Sequence, residues 1–484
     1  MSGRLAGPTL LALGLLLGGC FTPTGTSQRQ VSLPDPPPQQ RTTTGATPAQ
    51  REHDRIIASY NGAYEDARLN ALVTRAVERL VSASERPDQR YRITVLNSPA
   101  VNAFALPTGH LYVTRGLMSL ANDTSELASV LSHEMAHVIA QHAIMREDRA
   151  RQAALVGRVF DNFGSNPEVN ALALAKSKLA LATFSRSQEL EADGIGVGIA
   201  ARAGYDPFGA VRFLSSLGRQ AELRPAAQNA NARMPDFLSS HPATPERVRN
   251  AQINARQFSG PGGGGKDRPE YLAGIDGMLY GDDPSEGFVR GRRFLHPRLG
   301  FTFVAPDGFA LDNTAQAVLG IREGGGQAMR LDVVRVPTEQ KLSDYLTSGW
   351  IEGIEPNSIE NLGVNGFTAA TAIAKGEQWS FRIYAVRFSN DVYRFIFASK
   401  RLTPDIDKTF HDAVVSFRRM SLAETSSAKP LRIRIVTVGE DDTVEKIAAR
   451  MSIHDRAVER FRILNGLTAT DKVKPGDQVK VVTE

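Results

Sequence analysis

Two histidines four residues apart, His133 and His137, stand in an otherwise apolar run, LSHEMAHVIAQH, with Glu134 directly after the first. On a helix, positions i and i+4 share a face. The two imidazoles are then side by side and can chelate one divalent cation at about 2.0–2.1 Å per bond. Glu134 lies one residue further round, close enough to touch a water on that cation without ligating it, which is the place of a general base. A catalytic zinc takes three protein ligands and keeps one position open, so a third donor is required. SRSQELEADGIGVGIA, at 185–200, offers one. Glu189 and Asp193 are again four apart. Glu189 is the expected ligand, and Asp193 is the expected acceptor for the free N–H of a zinc histidine, fixing its tautomer. Glu191 points elsewhere and is the less favoured ligand. His142, on the far side of an ideal helix from His133, is read as structural.

Elements must hold these groups in place. Asp123 as N-cap and Glu126 three residues on make a capping-box-like start for a helix over 124–142. A second helix is expected over 185–200. LNALVTRAVERLV, at 69–81, has helical apolar spacing, and RYRITVL (90–96) and HLYVT (110–114) look like strands. Helical periodicity dominates 51–258. GPGGGGK opens a glycine-rich linker, 259–287. Residues 288–420 turn β-rich (FTFVAP, LDVVRV, FRIYAVRF, VYRFIFAS), with helices near 341–350 and 405–416. A linker at 421–430 precedes a strand–helix–helix–strand unit at 431–484. A chain of 484 residues is long enough for such a multidomain α+β arrangement.

The N-terminus predicts export. MSGRLAGPTLLALGLLLGGC has one basic residue, an apolar stretch too short to span a bilayer, then small residues. Residues 1–19 read as a signal peptide and 20–50, rich in Pro, Thr and Gln, as a disordered tether. Cys20 is the only cysteine, so no intramolecular disulfide can form. No run of lysine or arginine marks a nucleic-acid surface, and the net charge of +5 is spread thinly.

Four resemblances extend this reading. Leu17-Gly18-Gly19-Cys20 resembles the bacterial lipobox, which implies acylation of Cys20 and a membrane anchor. Phe21, not Asp, in the next position implies the outer membrane of a Gram-negative cell. LSHEMAHVIAQH, SRSQELEADGIG and NSPAVNAFALPTGHLYVTRGLM together resemble the HtpX/BepA/Oma-type zinc endopeptidases, metallopeptidase family forty-eight, over roughly residues 55–255. That likeness implies a mainly helical zincin-type protease domain with a small sheet and one Zn2+ per chain, bound by His133, His137 and Glu189. It implies Glu134 as catalytic base and Asp193 beside a zinc histidine. Asn102, Ala103 and Phe104 fall on the family's substrate-binding edge strand. SSHPATPERV, at 239–248, matches the family's H-P-x-x-x-x-R segment. It puts His241 near the zinc, either stabilising an oxyanion or filling the open position in a latent form, and Arg247 beside it or on substrate. Residues 288–420 loosely resemble Mog1/PsbP-like sheets. The segment 436–482 resembles a LysM module on Asp442-Thr443-Val444, Leu464-Asn465-Gly466-Leu467 and Lys474-Pro475-Gly476-Asp477, which implies peptidoglycan binding.

The expected protein is a lipid-anchored, periplasm-facing zinc endopeptidase acting on extended or misfolded envelope polypeptides. The alternatives are a cell-wall-tethered scaffold or chaperone with a latent site, and a peptidoglycan peptide hydrolase.

Overall fold

The computed structural model describes residues 47–146, 148, 184–223, 237–242, 244–260, 262–314, 316–453 and 455–484. The expected signal peptide, Cys20 and most of the tether lie outside the described residues. Among the described residues no helix is long and apolar enough to cross a membrane.

The first unit runs α1 (Pro48–Ser59), α2 (Ala67–Ala83), β1 (Arg92–Leu96), β2 (Ala103–Ala105), β3 (His110–Thr114), α3 (Arg115–Leu120), α4 (Thr124–Ile139), α5 (Arg186–Arg202), α6 (Gly209–Glu222), α7 (Phe237–Ser240), α8 (Pro245–Phe258) and α9 (Arg268–Ile275). The tether thus ends sooner than expected: Thr47 caps α1, its side chain accepting from Gln50 N, and Pro48 occupies the first turn. In α2 the residues at helical spacing, Leu69, Leu72, Val73, Ala76, Val77 and Leu80, are the buried ones. The small sheet has the order β1-β3-β2, with β1 parallel and β2 antiparallel to β3, so β2 is an edge.

Helix α4 is the centre of the unit and is buried from Thr124 to His137. Its start is tied down by polar contacts, because a buried helix N-terminus has free N–H groups to satisfy. Asp123 Oδ1 accepts from Glu126 N at 2.9 Å, and Glu126 Oε2 accepts from Asn122 N at 2.9 Å, one residue earlier than in a standard capping box. Arg212 of α6 completes the cluster, reaching Asp206 at 2.8 Å, Asp123 at 3.1 Å and Glu126 at 3.3 Å.

Residues 288–419 form a seven-stranded and a four-stranded antiparallel sheet. One core, with Phe303, Phe395, Phe397 and Phe410, lies under helix Pro404–Val415. A second, with Leu342, Leu346 and Ile383, packs helix Leu342–Leu346 on the other side. The following linker expected at 421–430 contains a short helix, Leu422–Ser427, whose Glu424 pairs with Arg418 and Arg293.

The stretch expected as a glycine-rich linker, 259–287, folds in large part. Tyr271, Leu272 and Ile275 of α9 are fully buried. Beyond α9 the chain pairs with the start of strand Arg432–Thr437: Gly277 N donates to Ile433 O, Ile433 N to Met278 O and Tyr280 N to Leu431 O. The apolar residues after the glycines decide this, since burying Tyr271 and its neighbours outweighs chain entropy.

Residues 431–484 have the expected β-α-α-β order, with strand Arg432–Thr437, helices Val444–Ala448 and Ala457–Leu464, and strand Gln478–Thr483, the two strands antiparallel. They are not a separate bead on a string. Ile433, Ile447, Phe461 and Val481 share one continuous core with Leu72, Leu117, Leu131 and Tyr271. Lys480 is wholly buried, and its Nζ donates to Ser119 O and Ala121 O, each at 2.7 Å, at the end of α3. Replacing Lys480 by Met strands those buried carbonyls, so Lys480→Met is expected to cost about 2–3 kcal/mol in urea unfolding. An unchanged midpoint would show that solvent satisfies them instead.

Candidate metal centre

Helices α4 and α5 cross tightly. Gly196 makes this possible: a Cβ there would lie 2.9 Å from His133 N and 3.0 Å from its Cα. The crossing brings Glu189, on the first turn of α5, up to His133 and His137. Ser185 caps α5 and exchanges hydrogen bonds with Gln188 in a capping box, which sets where that first turn begins.

The donors of four side chains converge. His133 Nε2 lies 3.1 Å from His137 Nε2, 3.6 Å from Glu189 Oε2 and 3.3 Å from His241 Nδ1. Glu189 Oε1 is 3.5 Å from His137 Nε2 and 2.8 Å from His241 Nδ1. All four residues are buried, and their donor atoms lie within 4.8 Å of one another. Donors about 2.0–2.1 Å from a tetrahedral zinc stand about 3.3 Å apart, so the cage has the size of that ion. Its chemistry fits too. Two imidazole nitrogens facing each other at 3.1 Å beside a buried carboxylate are poorly matched to one another and well matched to a cation between them.

The surroundings hold the cage in shape. Asp193 Oδ1 stands 3.0 Å from His133 Nδ1, at ion-pair distance, though that ring nitrogen makes no well-aligned hydrogen bond among the described residues. Arg247, from α8, is almost fully buried and grips Asp193 with two bonds, Nε to Oδ2 at 2.8 Å and Nη2 to Oδ1 at 2.7 Å. Its Nη1 lies 2.8 Å from Glu189 Oε2 and 3.2 Å from Pro242 O. Arg247 therefore ties together the two carboxylates and the segment after His241. The charges follow. Burial alone would discharge His133, but Asp193 and Glu189 outweigh it and hold its pKa up at about 9. Burial leads in pushing His137 down to about 3. Burial also works against ionised Asp193, yet Arg247 and His133 bring it to about 2. Two carboxylates that stay charged in a buried cage favour a cation.

Glu134 is buried and its Oε1 has no hydrogen-bond partner among the described residues, while His241 Nε2 is 3.6 Å away. Burial, countered by His241, raises its pKa. Such a group is poised to accept a proton.

Several expectations need correction. The ring of His142 is not remote. α4 ends at Ile139, Gln141 turns left-handed at φ 57°, and His142 Nδ1 comes to 3.0 Å from His137 Nδ1. Helical-wheel angles fail once the helix stops. Glu191, in line with its expected direction away from the site, lies outside the cage, mostly exposed, 3.3 Å from His142 Nε2. The edge strand is shifted by one residue. Asn102 spends its N–H on Thr114 Oγ1 and its C=O on Thr114 N, and its amide donates to Tyr60 Oη at 2.9 Å. Alternation along a strand then turns the main-chain groups of Ala103 and Ala105 to the free edge and those of Phe104 toward β3. Two aromatics were not foreseen: Phe184 stacks on His137 at 4.0 Å and Phe237 on His241 at 4.6 Å. Nothing in local spacing marks either one. Phe237 N also donates to Val101 O at 2.9 Å, which fastens the start of the His241 segment just before β2.

The profile of peptidase family M48 matches residues 67–255, the stretch that contains every side chain of this cage. These residues belong to peptidase family M48. Several curated proteins are similar to parts of the chain. The mitochondrial metalloendopeptidase OMA1 of Schizosaccharomyces pombe is 32% identical over 90 residues, 19% of this chain and 25% of that protein. Its namesake in Arabidopsis thaliana is 32% identical over 168 residues, 34% of this chain and 32% of that protein. The beta-barrel assembly-enhancing protease of Escherichia coli K12 is 28% identical over 190 residues, 37% of each. The chain thus spans between 25% and 37% of the length of these relatives. Among solved structures, cyanobacterial PsbP from Synechocystis is similar over 28% of this chain and 98% of that one, at 13% identity and a TM-score of 0.22, too low to assign a fold. Within the M48 domain, the H-E-x-x-H helix and the E-x-E-A-D helix are α4 and α5.

Proposed function

We propose that the protein is a zinc-dependent endopeptidase that cleaves extended or misfolded polypeptides of the cell envelope, with zinc held by His133, His137 and Glu189. The observation that carries this reading is the buried cage with Glu134 beside it, whose Oε1 has no hydrogen-bond partner among the described residues. A zinc ion bound there would supply Lewis acidity to a peptide carbonyl. Glu134 takes a proton from the attacking water and returns it to the leaving amine. Asp193, pinned by Arg247, keeps the His133 ring in one orientation. An extended substrate adds to the free edge of β2 through the main chain of Ala103 and Ala105. The E. coli relative is named for beta-barrel assembly, and an envelope substrate is consistent with the exported, lipid-anchored reading of Cys20. On the same reading, residues 431–484 are a LysM-like module facing peptidoglycan, in the periplasm at the outer membrane. Chelator-sensitive cleavage of casein by the purified chain tests the activity; cleavage of cell-wall cross-links alone would contradict it.

A second feature favours a latent form of the same enzyme. His241 Nδ1 stands among the donors, in the corner a substrate carbonyl or water needs. We therefore assign His241 a blocking role and not oxyanion stabilisation. His241→Ala is expected to raise casein cleavage by roughly tenfold, the gain if the open arrangement is a minority of about one in ten. A fall in rate would instead make His241 a catalytic group.

A further inference from the structure

The two ring nitrogens of His137 have different surroundings. Nε2 turns into the cage, 3.1 Å from His133 Nε2 and 3.5 Å from Glu189 Oε1. Nδ1 turns away from it and lies 3.0 Å from Nδ1 of His142. His142 is completely buried. Its other nitrogen, Nε2, is 3.3 Å from Oε2 of Glu191, whose side chain is 57% exposed. The line Glu191–His142–His137 thus runs from the surface of α5 to the centre of the cage.

Hydrogen-bond chemistry gives that line one direction. A neutral imidazole has one N–H and one bare nitrogen. A His137 that offers Nε2 to a cation carries its proton on Nδ1. That N–H needs an acceptor, because a buried donor left unpaired is costly. His142 Nδ1 stands at the distance for it, and accepting there puts the proton of His142 on Nε2. The Glu191 carboxylate accepts that second N–H. Every donor in the series then meets one acceptor. The reverse order would put the His137 proton on Nε2, inside the cage and against a cation. Phe184, stacked on His137 at 4.0 Å, restricts tilting of the ring but has no polar atom with which to fix its proton. The backbone is bent to make the contact: Gln141, directly before His142, has φ 57°, a conformation that a residue with a side chain adopts only at a cost.

We propose that His142 and Glu191 are positioning residues for the metal: Glu191 orients His142, and His142 holds the His137 ring with Nε2 bare and aimed into the cage. Outer partners of this kind are what keep a metal-binding histidine in one tautomer and one orientation. The proposal rests on the reading of His133, His137 and Glu189 as zinc ligands.

The test is zinc affinity, read by competition between the full chain and a fluorescent zinc chelator. His142→Leu removes the acceptor and should weaken zinc binding by about 10–100-fold, the usual effect of losing such a partner. His142→Asn is close to leucine in size but returns an acceptor oxygen near the place of Nδ1, so it should recover most of that loss. Glu191→Ala should weaken binding severalfold in the otherwise wild-type chain and add nothing in the His142→Leu chain, since it acts through His142. Should His142→Leu fail to fold, Glu191→Ala still decides, because the exposed side chain can be cut back without disturbing the core. Zinc affinity unchanged by His142→Leu or by Glu191→Ala, or weakened equally by His142→Leu and His142→Asn, would overturn the relay and leave the zinc centre standing. A wild-type chain that binds no zinc would overturn both.

Discussion

Glu134→Gln is expected to keep one zinc per chain and to lose casein cleavage by about 10²–10⁴-fold, the usual contribution of a positioned general base. The amide is nearly the same shape, so the cage around it should not move. It cannot take up the water proton, however, and that is the step proposed for the buried carboxylate. Zinc content by atomic absorption and cleavage by gel or fluorogenic casein read the two halves separately. Cleavage at the wild-type rate would remove Glu134 from the reaction. Loss of zinc would place it among the ligands.

Arg247→Met should have the largest effect on stability. In the chain without zinc, Arg247 is the cation nearest both Asp193 and Glu189, and all three are buried. Breaking a buried ion pair from one side leaves charge without a partner and costs about 3–5 kcal/mol. Zinc would neutralise Glu189 directly, so the deficit measured by urea unfolding should be smaller in excess zinc than in chelator. An equal loss in both conditions would mean that Arg247 supports α8 alone and has no part in the cage. Arg247→Lys should recover little, because one ammonium cannot reproduce the two-pronged grip on Asp193.

The composition of the cage was legible before any fold was known. His133, Glu134, His137, Glu189 and Asp193 lie in two short stretches, and within each stretch helical geometry alone decides which side chains share a face. That Asp193 would meet a zinc histidine and Glu191 would not follows from the same periodicity. β1, β3 and the βααβ order of the C-terminal unit were also visible, from alternation and turn residues.

What only the tertiary structure decided involves contacts between distant segments, which no local period encodes. The approach of α5 to α4 depends on Gly196 lying over the backbone of His133. His241 was placed near the zinc by the H-P-x-x-x-x-R resemblance, but its stance between His133 and Glu189, with Phe237 N bonded to Val101 O more than a hundred residues earlier, is a tertiary matter. His142 returns to His137 through one left-handed residue, Gln141. The stretch read as a linker became a wedge between two units because Tyr271, Leu272 and Ile275 found a shared core, and Lys480 was buried by carbonyls of α3. Sequence periodicity reports which face of an element is apolar; which other face it meets, and which charges are thereby stripped of water, is settled only when the chain closes on itself.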